Sequence, residues 1–260
     1  MDDTENRPLP TPPLSLMKDA SLFLDFDGTL VPLADTPEDV VVDPKLHALL
    51  QRTREVLGGR LAIVSGRSVE VLRTLFHLKD FVLAGSHGLE FARPGEPSHT
   101  PPRQPEVDEA EAALHAFVAD KPGLLVERKT LSVGLHFRQA PVWAEACSEV
   151  AEALANRTGL FLQTGKMLFE LRPGSADKGS AIRQLMFQSP LSAGVPLFMG
   201  DDVTDEDGFA AAAELGGAGI LIGPARRTAA QWRLEHTGSV RHYLSESVAH
   251  LNGEGALTPF

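Results

Sequence analysis

The residues of this chain best suited to chemistry are two aspartates, Asp25 and Asp27, which follow the apolar run Leu22–Leu24 and precede Gly28. A carboxylate is ionised at neutral pH and can form an aspartyl-phosphate, so Asp25 is a candidate nucleophile. Asp27 stands two residues from a like charge and should hold its proton tightly, which suits a general acid and then a general base. The alternative to a catalytic role is that the two aspartates only form an acidic turn after a strand. The spacing therefore favours phosphoryl transfer.

A second acidic cluster, with Asp201, Asp202 and Asp205, follows another apolar run. Mg²⁺ prefers oxygen ligands and commonly takes one or two carboxylates together with substrate phosphate. The predicted ligands are the Asp25 carboxylate, the backbone carbonyl of Asp27 and Asp201. Asp202 and Asp205 are expected to support those ligands.

Two alternatives remain for this acidic cluster. In an EF-hand interpretation, Asp205, Asp207, Gly208 and Glu214 match four positions of the calcium-binding loop, but Val203 stands where the pattern requires Asp. An apolar run, rather than a helix, also precedes the cluster. The other alternative is an acidic loop that is merely solvated.

Two further residues could hold a phosphate. Ser65 closes the apolar run Leu61–Val64, and its hydroxyl could meet a phosphate oxygen at a helix N-terminus, although a simple helix N-cap is the commoner role. Lys178 is predicted in the first turn of a helix, where a cation opposes the helix dipole. A nearby phosphate and carboxylate would explain it, and a solvated lysine is the alternative.

The elements that must position these residues alternate between apolar runs and helical patterns. Helices are predicted at 44–56 and after Ser68, and a further strand at 218–222 is followed by terminal helices. This alternation predicts an α/β fold, with a parallel sheet flanked by helices on both faces. Ligands bind beyond the carboxyl ends of the strands of such a sheet, where Asp25, Ser65, Ser86 and Asp201 fall.

The alternation stops between residues 92 and 173. Along this segment the pattern predicts a helix at 106–119, strands at 124–127 and 131–137, a helix at 142–155, and two short strands around Gly165. We interpret residues 92–173 as an inserted α+β domain and residues 21–91 with 174–252 as the core. Residues 1–20 are expected to be a mobile N-terminal segment, and residues 253–260 a tail.

Composition limits the possible partners. The net charge of −11 argues against a nucleic-acid partner, and no apolar stretch is long enough for a membrane span. Cys147 is the only cysteine and is predicted to be a small buried residue. We expect a cytoplasmic monomer with a small-molecule substrate.

Taken together, four segments resemble the motifs of the haloacid-dehalogenase superfamily of phosphatases: Asp25–Thr29, Ser65, Lys178 and Gly200–Asp205. The resemblance implies a Rossmann-like core with an inserted cap, a required Mg²⁺ ion, and catalytic roles for Asp25, Asp27, Ser65 and Lys178. It also makes Thr29 a supporting residue.

Other segments are similar to those of trehalose-6-phosphate phosphatases, among them 64–67, 85–90, 127–129, 136–138, 166–173 and 200–206. The substrate would then be trehalose 6-phosphate, a sugar phosphate. The residues implied in substrate binding are Arg67, Ser86, His87, Gly88, Glu127, Lys129 and Glu170. Glu170 interrupts an apolar run, so it must face water or meet a partner.

Other functions stay open at this point. One is a related capped phosphatase acting on sucrose phosphate, a mannosyl-glycerate phosphate or a nucleoside monophosphate. Another is a non-catalytic protein that binds sugar phosphate and regulates a partner, although Asp25 and Asp27 are both intact. A kinase with a phosphate-binding loop is disfavoured because the chain has no Gly-x-x-x-x-Gly-Lys-Ser/Thr sequence.

Overall fold

A computed structural model describes residues 9–33, 40–74, 76–165, 167–174 and 176–253 of the chain. The chain forms two compact units. The core unit is Met1–His99 with Asp177–Phe260, and the inserted unit is Thr100–Ala176. No helix within the described ranges is both long enough and apolar enough to cross a membrane.

The strands and helices alternate along most of the chain. The strands are β1 (Ala20–Leu24), β2 (Leu61–Val64), β3 (Val82–Gly85), β4 (Glu90–Ala92), β5 (Leu125–Arg128), β6 (Val133–His136), β7 (Phe161–Gly165), β8 (Leu168–Arg172), β9 (Val195–Gly200), β10 (Ala218–Ile222) and β11 (Trp232–Leu234). The helices are α1 (Pro44–Val56), α2 (Val69–Thr74), α3 (Pro105–Val118), α4 (Ala144–Thr158), α5 (Lys178–Met186), α6 (Glu206–Glu214) and α7 (Thr237–Leu251).

The core unit is built on a seven-stranded sheet in the order β11-β10-β9-β1-β2-β3-β4. All neighbouring strands are parallel except β3 and β4. Strand β1 is central, and Leu24 at its carboxyl end lies opposite Ile63 of β2 and Met199 of β9. The predicted parallel α/β sheet is confirmed. The edge strands β4 and β11 were not predicted, because three residues are too few to show a periodic pattern. One terminal helix, α7, follows β11.

Alternating residues of the buried strands pack on opposite faces of this sheet. Leu22 and Leu24 join a cluster with α1, α2 and α7, whereas Phe23 joins a second cluster with α5 and α6. Strands covered on both faces are apolar throughout, which is why the predicted runs Leu22–Leu24 and Leu61–Val64 lack a polar alternation. Helices cover both faces, as predicted.

The N-terminal segment is in part anchored to the core unit. The backbone N–H of Arg233 donates to the carbonyl of Pro10 at 3.0 Å, and the Tyr243 hydroxyl donates to the carbonyl of Pro13 at 3.1 Å. Met17 is fully buried. These contacts were not foreseen by the sequence analysis, which expected a mobile segment over residues 1–20; that mobility stays a prediction. Residues 1–8, and residues 254–260 of the predicted tail, lie outside the described ranges.

The inserted unit is an antiparallel sheet in the order β5-β6-β8-β7, packed on one side against α3 and α4. Cys147 is buried within that packing. This unit begins at Thr100 rather than at 92, because Phe91 and His99 exchange two backbone hydrogen bonds of 3.0 and 2.7 Å that return the chain to the core sheet. It ends at Ala176 rather than at 173.

Candidate active site

Asp25 lies directly after the central strand β1, and its side chain is held by a single cation. The backbone N–H of Asp25 donates to the carbonyl of Met199 at 2.9 Å, which continues the sheet beyond Leu24. The residue is 3% exposed. Its Oδ1 accepts a hydrogen bond from Lys178 Nζ at 2.5 Å, whereas Oδ2 has no partner within the described ranges. One carboxylate oxygen is thus oriented and the other is available.

Lys178 is the first residue of α5 and is itself buried. The helix is capped by Asp177, whose side chain accepts from the backbone N–H of Ser180 at 2.6 Å. Lys178 Nζ also donates to Asp205 Oδ1 at 2.5 Å. A solvated lysine is therefore excluded, and the cation that opposes the helix dipole is explained by two carboxylates.

Asp205 is fully buried and holds the acidic loop in place. Its Oδ2 accepts from the backbone N–H groups of Asp201 and Asp202, both at 2.9 Å. Its Oδ1 is occupied by Lys178. The cluster is therefore not a merely solvated loop. It follows strand β9 rather than a helix, which is inconsistent with an EF-hand.

The geometry fits a divalent cation. Carboxylate oxygens of Asp25, Asp201 and Asp205 lie within 4.8 Å of one another. Only glycine fits at position 28, because its φ is +85° and a Cβ there would stand 2.2 Å from Asp201 Oδ2. The absence of a side chain at Gly28 therefore keeps space beside the Asp201 carboxylate. Asp25 Oδ2 is buried without a partner in the described part of the chain and needs one. The carbonyl of Asp27 stays a predicted ligand.

The charges of this cluster are unbalanced. Burial, reinforced by Asp205 and Asp201 and opposed by Lys178, raises the pKa of Asp25 well above its usual range. Burial and Asp205 raise the pKa of Asp201 to about 7. For Lys178 burial alone would lower the pKa, but Asp205 and Asp25 outweigh it and raise the pKa. One cation faces three carboxylates, so another positive charge would stabilise the site.

Asp27 is paired with an arginine. Arg67 donates from Nε and Nη2 to the two oxygens of Asp27, both at 2.7 Å, and its guanidinium carbon lies 4.9 Å from the centre of the Phe76 ring. The family resemblance implied Arg67 in substrate binding, and in the structure Arg67 pairs with Asp27. Thr29, the predicted support, is fully buried, and its hydroxyl has no partner among the described residues.

Ser65 is buried in the loop after β2 and caps a tight turn. Its hydroxyl accepts from the backbone N–H of Arg67 at 3.1 Å. The residue that caps α2 is Ser68, whose hydroxyl accepts from the backbone N–H of Val71 at 3.3 Å. The alternative of a simple helix N-cap is therefore wrong for Ser65.

The loop after β3 interlocks with the Ser65 loop. The backbone N–H of Ser86 donates to the carbonyl of Arg67 at 2.8 Å, and that of His87 donates to the carbonyl of Ser65 at 3.0 Å. Ser86 and His87 adopt left-handed φ values of +48° and +57°. Gly88, at φ +96°, lies too close to α5 for a side chain. Sequence-predicted site residues from two strand ends thus form one hydrogen-bonded surface.

Glu90 also contributes to this surface, although the sequence analysis assigned it no function. Glu90 is 2% exposed, and its Oε2 accepts from the Ser86 hydroxyl and from the backbone N–H of Val69, both at 2.9 Å. It therefore ties the β3 loop to the first residue of α2. The sequence could have indicated this role, because Glu90 is a carboxylate within segment 85–90, one of the segments similar to trehalose-6-phosphate phosphatases.

The inserted unit carries a separate polar cluster. Glu170 is 3% exposed and accepts from Lys129 Nζ at 2.5 Å and from the Ser132 hydroxyl at 2.6 Å. Of the two alternatives for Glu170, facing water or meeting a partner, the structure shows the second. Glu127 pairs with His136 at 2.8 Å, and although burial opposes the shift, His136 and Lys129 lower the pKa of Glu127. Lys166, in the same matching segment as Glu170, lies outside the described residues.

The register of the sheet explains why these residues meet. One row of directly opposed residues crosses all four strands of this sheet. The row consists of Glu127 of β5, Gly134 of β6, Glu170 of β8 and Gln163 of β7. Directly opposed residues share a face of an antiparallel sheet, so this row runs across the polar face. Ser132 and Gln163 were missed because neither carries a motif. Gln163 lies opposite Glu170 through the strand register, whereas Ser132 reaches Glu170 from the connection between β5 and β6.

The comparisons with known proteins agree with this geometry. The model of the trehalose-phosphatase family matches residues 23–237. A probable trehalose-phosphate phosphatase of Sinorhizobium fredii is 39% identical over 206 residues, which are 78% of this chain and 78% of that protein. The trehalose-6-phosphate phosphatase of Escherichia coli is 35% identical over 224 residues, covering 85% of this chain and 84% of that protein.

A solved structure described as a trehalose-6-phosphate phosphatase related protein is 28% identical, with a TM-score of 0.74 over 90% of this chain and 99% of that chain. The fold is also shared with phosphatases of the haloacid-dehalogenase superfamily, which confirms the predicted fold class. From its sequence motifs, its buried Asp25–Lys178–Asp205 centre and these similarities, the chain belongs to the trehalose-phosphatase family.

Proposed function

We propose that this protein hydrolyses trehalose 6-phosphate to trehalose and inorganic phosphate. The observation that carries the proposal is the buried Asp25 carboxylate, fixed through Oδ1 by Lys178 and lacking a partner at Oδ2 among the described residues. Such an oriented, desolvated carboxylate suits attack on phosphorus. The relatives named above are trehalose-phosphate phosphatases, which supports the choice of substrate.

In the first step Asp25 attacks the phosphorus in line, and the bond between phosphorus and the O6 atom of the sugar breaks. Lys178 offsets negative charge on the transferring group. A bound Mg²⁺, held by Asp25, the Asp27 carbonyl and Asp201, would neutralise the phosphoryl oxygens. The first half of the reaction leaves an aspartyl-phosphate on Asp25.

Asp27 is assigned the proton transfers. It gives a proton to O6 as the sugar leaves, and it then takes a proton from the water that attacks the aspartyl-phosphate. Both of its oxygens accept from Arg67 in this structure, so the pair must open before Asp27 can act. An incoming phosphate supplies a competing anion for Arg67, which would couple substrate binding to the release of Asp27.

The remaining assignments concern recognition. Ser65 is assigned to the transferring phosphoryl group. Four further residues of the core are assigned to substrate contacts near the phosphate: Arg67, Ser86, His87 and Gly88. Glu127, Lys129 and Glu170 offer both acceptors and donors, which suits the hydroxyls of an uncharged disaccharide. Cytoplasmic location and a monomeric state stay predictions.

The test is phosphate release from trehalose 6-phosphate, sucrose 6-phosphate, glucose 6-phosphate and a nucleoside monophosphate, with Mg²⁺ and with chelator. The proposal expects a metal-dependent kcat/KM that is highest for trehalose 6-phosphate. Asp25→Asn should abolish turnover, whereas Asp19→Asn, an exposed aspartate before β1, should not change it. Equal rates on all four compounds would refute the substrate assignment, and release by Asp25→Asn would refute the covalent route.

A further inference from the structure

One arginine of the inserted unit holds the turn between β5 and β6. Nη1 of Arg103 donates to the carbonyl oxygens of Lys129, Thr130 and Ser132, at 2.5, 3.2 and 3.1 Å. These residues belong to the connection between the two strands, residues 129–132. The side chain of Arg103 is only 14% exposed, so its contacts are largely shielded from water.

The same side chain is anchored to α3. Nε of Arg103 donates to Asp108 at 2.7 Å, and Nη2 donates to Glu111 at 2.5 Å. Glu111 is 9% exposed and also accepts from Arg128 at 2.7 Å. The side chain of Arg128 is 60% exposed and donates to no carbonyl of the turn among the described residues. Two arginines therefore share one glutamate, but only Arg103 reaches the turn.

The turn carries two donors to Glu170. Lys129 donates to one oxygen of Glu170 at 2.5 Å and Ser132 donates to the other at 2.6 Å. A guanidinium presents its N–H groups in a fixed planar fork, so it can fix several carbonyls and carboxylates at once. Movement of the turn would displace both donors together.

We propose that Arg103 is a positioning residue for substrate recognition. It locks the 129–132 turn to α3, so that Lys129 and Ser132 hold Glu170 in the arrangement that meets the sugar hydroxyls. Arg103 itself contacts no substrate. This inference rests on the proposed function, since it assigns a support to the sugar-binding cluster.

The first test compares the kinetics of Arg103→Ala with those of Arg128→Ala. For Arg103→Ala we expect KM for trehalose 6-phosphate to rise about tenfold, the usual scale for loss of a charge-assisted hydrogen bond, while kcat changes little. Hydrolysis of p-nitrophenyl phosphate, which has no sugar, should keep its KM. Arg128→Ala removes an ion pair to the same Glu111 and should leave both substrates unaffected.

The second test needs no turnover. The backbone N–H of Lys129 donates to the carbonyl of Ser132 at 3.1 Å, and its hydrogen exchange in the substrate-free protein reports the order of the turn. We expect faster exchange in Arg103→Ala, and also in Arg103→Lys, whose single ammonium cannot make the fork. If Arg103→Ala does not fold, Arg103→Lys decides the question.

Each outcome has a distinct meaning. Faster exchange with a raised KM in the Arg103 variants, but not in Arg128→Ala, supports the proposal. Unchanged exchange, or equal effects in the two arginine variants, overturns it. If the wild-type protein does not hydrolyse trehalose 6-phosphate, the proposed function and the KM argument fail together, while the exchange measurement still decides whether Arg103 holds the turn.

Discussion

Replacement of Lys178 by methionine should destabilise the protein strongly as well as inactivate it. Methionine has a similar length, so the change removes the charge and leaves little cavity. The Nζ atom lies 2.5 Å from both Asp25 and Asp205, and the side chains of these two aspartates are 5% and 0% exposed. Removing one partner of a buried ion pair costs about 3 to 5 kcal/mol, because the other charge stays buried without compensation.

That cost corresponds to a fall in melting temperature of about 6 to 20 °C for a chain of this size. The assay is chemical and thermal unfolding at neutral pH with chelator present, so that no divalent cation replaces the lost charge. Arg183→Met is the matched control on the same helix, because Arg183 pairs with Glu214 and both side chains are 41% or more exposed. An exposed pair of this kind contributes about 0 to 1 kcal/mol.

The destabilisation should also depend on pH in a defined direction. Lys178 opposes the raised pKa of Asp25, so without Lys178 this pKa rises further and the folded protein binds more protons than the unfolded chain. The loss of unfolding free energy in Lys178→Met should therefore grow as the pH rises and shrink as the pH falls toward 4. A Lys178→Met protein as stable at neutral pH as the Arg183→Met control would refute the charge-balance argument.

Three further predictions follow from the core unit. Gly28→Ala places a Cβ 2.2 Å from Asp201 Oδ2 at a positive φ, so Mg²⁺ binding measured by calorimetry should be lost, and retained affinity would refute this cation site. Asp201, with a pKa raised to about 7, contributes stability that is complete below about pH 4 and is lost as the pH rises through 7. Asp201→Asn should therefore flatten the metal-free dependence of unfolding free energy on pH, and an unchanged slope would contradict the assignment. Glu90→Ala leaves the Ser86 hydroxyl and the Val69 N–H without their acceptor, so we expect a loss of about 1 to 3 kcal/mol in unfolding experiments and a lower kcat, and wild-type values for both would contradict the role.

Much of the fold was predictable because its information is local. The strand β1 is an apolar run ending in two aspartates, and α1 was predicted with its observed bounds from its helical periodicity. The two short edge strands were not predicted, because their pairing with β3 and β10 depends on the completed sheet. The anchored segment 10–17 was missed for the same reason, since its partners Arg233 and Tyr243 lie more than two hundred residues away in sequence.

The candidate site divides in the same way. By itself the sequence determined which residue types stand at the carboxyl ends of the strands, because a strand followed by Asp, Ser or Gly is a local pattern. Only the tertiary structure decided that Lys178 joins Asp25 to Asp205. The same holds for the hydrogen bonds from Arg67 to Asp27 and for those from Arg103 to the turn at Lys129. These contacts join distant segments, and their strength comes from burial and geometry, which no spacing in the chain can specify.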